Sequence, residues 1–257
     1  MKKGEILITY LSNAGFMLTD GKTKILIDGV HTEQALNFSP IPEKIMNKII
    51  RGEENFSDID CFMFTHVHKD HCDLKKLCEI RNPDIKIVLP ELDENNKVYM
   101  KDALDLLPNP ISYLNSEYGE VTLIESGNFK IKAARTYHDG IKYRSTINHF
   151  SYLISVANQQ ILFMGDAESG NSNIVDWLGN ETIDAVCINF TEISQEKGRA
   201  FINQVVNPRL AIFCHIPLQQ HDKFHYRERV LENVSKYRSS LPKVYVCLEA
   251  MEAIVID

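Results

Sequence analysis

The stretch from Thr65 to Asp73, THVHKDHCD, packs three histidines and two aspartates into nine residues. Imidazole and carboxylate are ligands for zinc, and equally for iron or manganese. The chain has no CxxC pair of the kind that builds a thiolate structural site. His66 and His68 stand two apart at the end of a strand-like run, so their side chains project to the same side. Asp70 and His71 follow in a turn and are placed to point at a neighbouring position.

Ligand-type residues recur at equivalent places along the chain. TKILID ends in Asp28, CFMF leads into His66, IKAARTYH ends in His138, ILFMGD ends in Asp166 and LAIFCH ends in His215. Five apolar runs thus hand over to a loop at such a residue, and loops at one edge of a sheet scaffold are where sites are assembled. His66, His68, Asp70, His71, His138, Asp166 and His215 are too many for one tetrahedral ion. They suit two divalent ions that share a bridging carboxylate and a water. Zinc is the first expectation for both, with manganese or iron as alternatives.

The elements that must position these residues follow from periodicity. EILITYL, GFMLTD and TKILID read as successive strands, with Gly21–Lys22 as a hairpin turn. In PIPEKIMNKIIRG, Ile45, Met46, Ile49 and Ile50 have helical spacing between Pro42 and Gly52. IDCFMF is a buried strand, DLKKLCEI a helix, DIKIVLP a strand and KVYMKDALDLL a short helix. Two strands, VTLIES and FKIKAAR, surround a turn at Gly127. The pattern then repeats in kind: strands HFSYLISV and ILFMGD, helix NSNIVDWL, strand IDAVCINF, helix GRAFINQVV, strand RLAIFCH, helix HYRERVLENVSKYR, and closing strands KVYVCL and MEAIVID. No repeat, low-complexity tract or Pro/Gly/Ser linker divides the sequence, so residues 1–257 are expected to form a single α/β domain with two layers of sheet flanked by helices.

Composition narrows the function classes. Apolar residues make up 44% and charged residues 25%, a globular profile. The formal net charge of −7 disfavours non-specific nucleic-acid binding, which depends on neutralising phosphates, so no nucleic-acid partner is expected. The N-terminus has no basic and apolar regions of a secretory signal, and no apolar run approaches the roughly 18 residues of a membrane span. The six cysteines are scattered through apolar runs and read as buried free thiols, which fits a reducing, cytoplasmic setting.

THVHKDH resembles the HxHxDH signature of the metallo-β-lactamase superfamily. Asp28, His138, Asp166 in GDA and His215 resemble its other motifs in order, over nearly the whole chain. The resemblance implies an αββα sandwich of two mixed β-sheets flanked by helices, with the site on one edge between the sheets. It implies that His66, His68 and His138 hold one metal and that Asp70, His71 and His215 hold the other, with Asp166 bridging. Asp28 is implied to orient the metal-binding loop. The DHCD segment resembles the DHxD variant of ascorbate-phosphate lactonases and N-acyl-phosphatidylethanolamine phospholipases. The activity expected is a metal-dependent hydrolase: a metal-activated hydroxide attacks an ester, lactone or phosphodiester of a small molecule, and Asp70 orients it.

Other neighbours carry smaller expectations. Asp73 is placed either to cap the LKKLCEI helix or to act at the site, and Cys72 is a passive neighbour. His221 and His225 stand four apart on an expected helix, where exposed polarity is the reading preferred over a metal pair, and His149 is structural. The segment from Gly29 to Asp58 leaves from and returns to the metal edge. It is expected to wall the substrate pocket, with His31 or Phe38 facing the metals. The alternatives are a nuclease-type phosphodiesterase of the same fold and a non-catalytic metal-binding protein. Only 49 residues separate Asp166 from His215 (215 − 166), too few for the inserted domain of the β-CASP ribonucleases. His68 stands where flavodiiron relatives carry Glu, and the extra helical domain of glyoxalase-type thioesterases is not expected from residues 1–257.

Overall fold

The computed structural model describes residues 4–33, 38–92, 94–140, 142–144, 146–170 and 172–256. Alternation along its strands explains the long apolar runs of the sequence. Ile25 and Ile27 of β3 (Lys24–Ile27) point to one face and Leu26 to the other; all three are buried. The same holds for Cys61, Phe62 and Met63 of β4 (Cys61–Met63), and for Ile161, Leu162 and Phe163 of β10 (Gln159–Phe163). Side chains two apart share a face, so a run that is apolar throughout marks a strand covered on both sides.

Among the described residues there are two seven-stranded sheets. The first has β1 (Ile6–Ser12), β2 (Gly15–Thr19), β3, β4, β5 (Lys86–Pro90), β6 (Ile111–Leu114) and β14 (Ala253–Ile256), in the order β14-β1-β2-β3-β4-β5-β6. The second has β7 (Val121–Ser126), β8 (Phe129–Thr136), β9 (His149–Val156), β10, β11 (Ala185–Asn189), β12 (Leu210–Cys214) and β13 (Lys243–Val246), in the order β13-β12-β11-β10-β9-β8-β7. Both sheets are mixed. Their inner faces share one cluster that includes Phe16, Phe129, Tyr152 and Ile212.

Helices cover the outer faces. On the first sheet lie α1 (Glu43–Arg51), α2 (Leu74–Leu77) and α3 (Glu94–Leu106); on the second lie α4 (Ser172–Leu178), α5 (Thr191–Ser194), α6 (Glu196–Ala200) and α7 (Tyr226–Tyr237). Helix α1 buries Met46, Ile49 and Ile50 against the first sheet, each contributing about 1.5–3 kcal/mol of apolar burial. This is the αββα sandwich expected from the motifs. No helix among the described residues is long and apolar enough to cross a membrane.

Some elements differ from the expectation. The DLKKLCEI helix shrinks to the single turn of α2, capped as expected by Asp73, whose carboxylate accepts from the Lys76 amide at 3.0 Å. Strand β6, ISYL, is an addition: it is four residues long, partly exposed and on the edge of its sheet, so it lacks the apolar run that marks the central strands.

The arrangement that matters for chemistry is strand direction. β3 and β4 are parallel neighbours. β8 and β10 both run antiparallel to β9, and β10, β11 and β12 are parallel. The C-terminal ends of β3 and β4 therefore leave one edge of the first sheet, and those of β8, β10 and β12 leave one edge of the second.

Candidate metal centre

Each strand end delivers its residue through an irregular step of backbone. Asp28 (φ 48°) and His215 (φ 65°) adopt the left-handed conformation directly after β3 and β12, which turns their side chains out of the strand alternation. The sheets are tied together here. The Tyr152 hydroxyl donates to the Phe64 carbonyl, and the Phe150 amide donates to the Thr65 carbonyl at 2.8 Å. The His215 amide donates to the Asn13 carbonyl at 2.7 Å; within the second sheet, the Asp139 amide donates to the Asp166 carbonyl at 2.7 Å.

Two clusters result. In the first, His66 Nε2, His68 Nδ1 and His138 Nε2 lie 3.0, 3.2 and 3.3 Å from one another. In the second, His71 Nε2 and His215 Nε2 are 3.2 Å apart, and Asp70 Oδ2 lies 3.8 and 3.4 Å from them. Asp166 lies between the clusters. Its Oδ2 is 3.9 Å from His66, 3.7 Å from His138 and 3.4 Å from His71, while Oδ1 is 3.3 Å from His215. All seven strand-end and turn residues singled out in the sequence are thus brought together, and all but His68 and Asp166 are buried.

This donor set fits divalent cations. One shared proton among three mutually facing ring nitrogens satisfies one pair and leaves the third without a partner. A cation about 2.0–2.1 Å from each nitrogen satisfies all three and sets the nitrogens about 3.4 Å apart in tetrahedral geometry. Burial, followed by the charge of neighbouring histidines, holds His66 below the usual histidine range and brings His68 down to about 4, so both present lone pairs. Burial pushes Asp70 and Asp166 up, but the surrounding histidines outweigh it and hold both carboxyls below the usual range. His71 goes the other way: burial pushes it down, and Asp166, Asp28 and Asp70 together raise it well above its ordinary value. Three carboxylates converging on one point call for positive charge there.

The groups behind the cluster are specific. Asp28, 1% exposed, accepts from the Thr65 amide at 2.7 Å and the Thr65 hydroxyl at 2.6 Å, and its Oδ2 lies 2.8 Å from His71 Nδ1. The His138 Nδ1 faces the Asp139 carbonyl at 2.6 Å. His149 is structural, as expected, yet it reaches the site: its Nε2 accepts from the Asp166 amide at 3.0 Å and its Nδ1 meets the Thr136 hydroxyl at 2.8 Å. Gly165 (φ 56°) makes that contact possible, because a Cβ there would sit 2.7 Å from His149 Nε2 and 2.9 Å from Thr65.

A cleft of about 450 Å³ opens over the two clusters. Phe38 lines it with its ring edge-on to His215, centroids 4.1 Å apart. His31 does not. It is fully buried and does not line the cleft; burial brings it down to about 3. The expectation that the 29–58 segment walls the pocket therefore narrows to Phe38. Its helix α1 packs on the flank of the first sheet, and residues 34–37 lie outside the described residues. His221 and His225 do not share a helix. His221 ends a 3-10 turn with Nδ1 2.9 Å from the Ser39 hydroxyl, and exposed His225 precedes α7 in a left-handed conformation. Cys72 is buried and free of any disulfide, as are Cys61, Cys187, Cys214 and Cys247; Cys78 is also free and half-buried.

Sequence reasoning passed over several residues at the cleft. The Asn13 amide donates to the Asp70 carbonyl at 2.9 Å and to Oδ2 at 3.3 Å, holding the Asp70 turn. Tyr143 stacks edge-on against His68 and His138, centroids 5.2 and 5.6 Å away. Asn189, Thr191 and Glu192 form the wall beyond β11. None of these residues lies in the strand-end pattern or the HVHKDH stretch that marked the site.

The family model described as beta-lactamase superfamily domain matches residues 7–215. Among solved structures, the chain is similar to a possible metal-dependent hydrolase from Veillonella parvula (14% identity, 96% of this chain and 98% of that chain, TM-score 0.69). It is also similar to the metallo-beta-lactamase fold protein YhfI from Bacillus subtilis (11%, 98% and 99%, TM-score 0.64). A third is Igni18, a metallo hydrolase from Ignicoccus hospitalis (12%, 98% and 99%, TM-score 0.61). At these identities the likeness is one of fold. No protein of curated function matches the sequence.

Proposed function

The chain belongs to the metallo-β-lactamase superfamily, and on that footing we propose that it is a hydrolase with two divalent metal ions acting on an ester, lactone or phosphodiester bond of a small molecule. The observation that carries this reading is the pair of clusters joined by Asp166. His66, His68 and His138 would hold one ion and Asp70, His71 and His215 the other, with one Asp166 oxygen toward each. Zinc fits the His-rich set best; iron and manganese fit it chemically. When bound, such a pair supplies the Lewis acidity that makes a water nucleophilic near neutral pH and polarises the scissile bond.

The chain's own residues do the rest. Asp28 holds the proton of His71 on Nδ1 and so keeps Nε2 free to bind. Asn13 fixes Asp70, whose carboxylate stays ionised and orients the attacking water toward the cleft. His149 and Gly165 aim Asp166 from behind. Phe38 and Tyr143 shield the centre with apolar surface that strengthens every electrostatic contact inside. The likeness of DHCD to the lactonase and phospholipase branch supports an oxygen ester as the bond broken. The test is elemental analysis of purified protein, followed by generic esters, lactones and phosphodiesters with each metal. About two transition-metal ions per chain, and turnover abolished by a chelator and restored by metal, are expected. Protein that neither carries nor takes up metal refutes the reading.

A further inference from the structure

Phe38 reaches the cleft from a stretch of chain that belongs to no strand or helix, and the residue after it supplies an anchor. Ser39 is fully buried. Its hydroxyl oxygen accepts from the Leu218 amide at 2.8 Å and lies 2.9 Å from His221 Nδ1. Its carbonyl accepts from the Ser12 hydroxyl at 3.3 Å. The Ile41 amide donates to the His31 carbonyl at 3.2 Å, and Pro40 and Pro42 stiffen the chain from Ser39 into α1.

Both sides of this anchor belong to segments that hold the second metal cluster. Ser12 precedes Asn13, which donates to Asp70 and accepts from the His215 amide. Leu218 and His221 lie in the turn that follows His215. The Phe38 ring packs edge-on against His215, so the anchor sets the ring relative to the ligand beside it. The order of protons follows from the donors. A backbone amide only donates, so the Ser39 oxygen accepts from Leu218, and the Ser39 proton must find an acceptor of its own. Leaving it unpaired in a fully buried hydroxyl is costly. Among the described residues the acceptor in reach is His221 Nδ1, which places the ring proton of His221 on Nε2.

We propose that Ser39 and His221 are positioning residues: the hydrogen bond from the Ser39 hydroxyl to His221 Nδ1 fixes Phe38 beside His215 and so sets an apolar wall that selects the substrate. The selection rests on the metal-centre reading; the hydrogen bond does not, and the experiment reads the two separately. NMR of protein carrying ring-13C phenylalanine and 15N histidine needs no metal. The Phe38 signals are identified by their loss in Phe38→Leu, and those of His221 by their loss in His221→Leu. His221 should show the Nε2–H tautomer, and Phe38 one set of signals displaced by the His215 ring. In His221→Leu the Phe38 signals should move toward the position of a free ring. His221→Asn places an accepting oxygen where Nδ1 stood and should keep them in place. The opposite tautomer, or Phe38 signals unmoved in His221→Leu, overturns the proposal. Ser39→Ala would also strand the buried Leu218 amide, so the His221 variants carry the test.

Metal-loaded protein is then titrated by calorimetry with methylphosphonate and benzylphosphonate, anions that can bind the metals, resist hydrolysis and differ in one apolar ring. Wild type should prefer benzylphosphonate about tenfold, about 1.4 kcal/mol. His221→Leu should cut that preference to about threefold or less, with metal content and methylphosphonate affinity unchanged, and His221→Asn should restore it. Phe38→Ala should lose the preference too, and adding His221→Leu to it should cost nothing more, because His221 acts through Phe38. A residue that merely supports the fold would give losses that add. Additive losses, a preference that survives His221→Leu, or equal binding of both probes by the wild type overturns the proposal. In each case metal uptake and methylphosphonate binding leave the hydrolase reading standing. Protein that takes up no metal overturns the hydrolase reading and the selection with it, and the NMR measurement still decides the anchor.

Discussion

Replacing Asp28 by Asn probes how one half of the centre is kept competent. Asp28 accepts from the Thr65 amide and hydroxyl and faces His71 Nδ1 at 2.8 Å, all out of water. Asn has the same shape but only one accepting oxygen. That oxygen keeps the Thr65 amide, and the Thr65 hydroxyl can turn to accept from the new NH2 group. His71 has no such freedom. With an amide donor facing Nδ1, the ring is favoured with its proton on Nε2, the atom that faces His215 and Asp166. One hydrogen bond to a charged group is lost, so stability should fall by about 1.5–3 kcal/mol. Loss of the group that orients a ligating histidine lowers metal affinity by roughly 10–100-fold. The His66, His68 and His138 cluster keeps its own supports and should hold its ion. After dialysis against a chelator buffer poised between the two affinities, elemental analysis should find about one ion per chain in Asp28→Asn and about two in the wild type. If the variant binds both ions with wild-type affinity, the tautomer argument is wrong.

Asp70→Asn should lower turnover of a responsive substrate by about a hundredfold or more, in the range of general-base effects; unchanged kcat with metal retained would assign water orientation elsewhere. Gly165→Ala should destabilise the fold, because φ is 56° and the added Cβ meets His149 and Thr65 below 3 Å. At about 2 kcal/mol or more, the midpoint in thermal unfolding should drop by about 4–8 °C, and an unshifted midpoint counts against the contact. Phe38→Ala should change KM several-fold with kcat and metal content nearly intact, since the ring lines the cleft beside His215 without belonging to either cluster; identical kinetics would remove Phe38 from the pocket.

Much of this protein could be read from its sequence because the signals are local. A strand buried on both faces must be apolar at every position, and the first ligand-type residue after such a run marks where the chain leaves the sheet. That is why Asp28, Asp166 and His215 stood out, and why the HVHKDH spacing spoke for itself. Tertiary structure decided what depends on direction. In the loop after β3 the backbone has no period, so whether His31 or Phe38 faced the cleft was not encoded in spacing; packing buried one and set the other, half-buried, on the cleft. Strand β6 was silent because an edge strand needs no continuous apolar run. The seat of Glu192 depends on Gly198 in the next helix, and that of Asp166 on His149 across a sheet. Such contacts join residues with no periodic relation, and only the closing of two sheets on one another sets their distances.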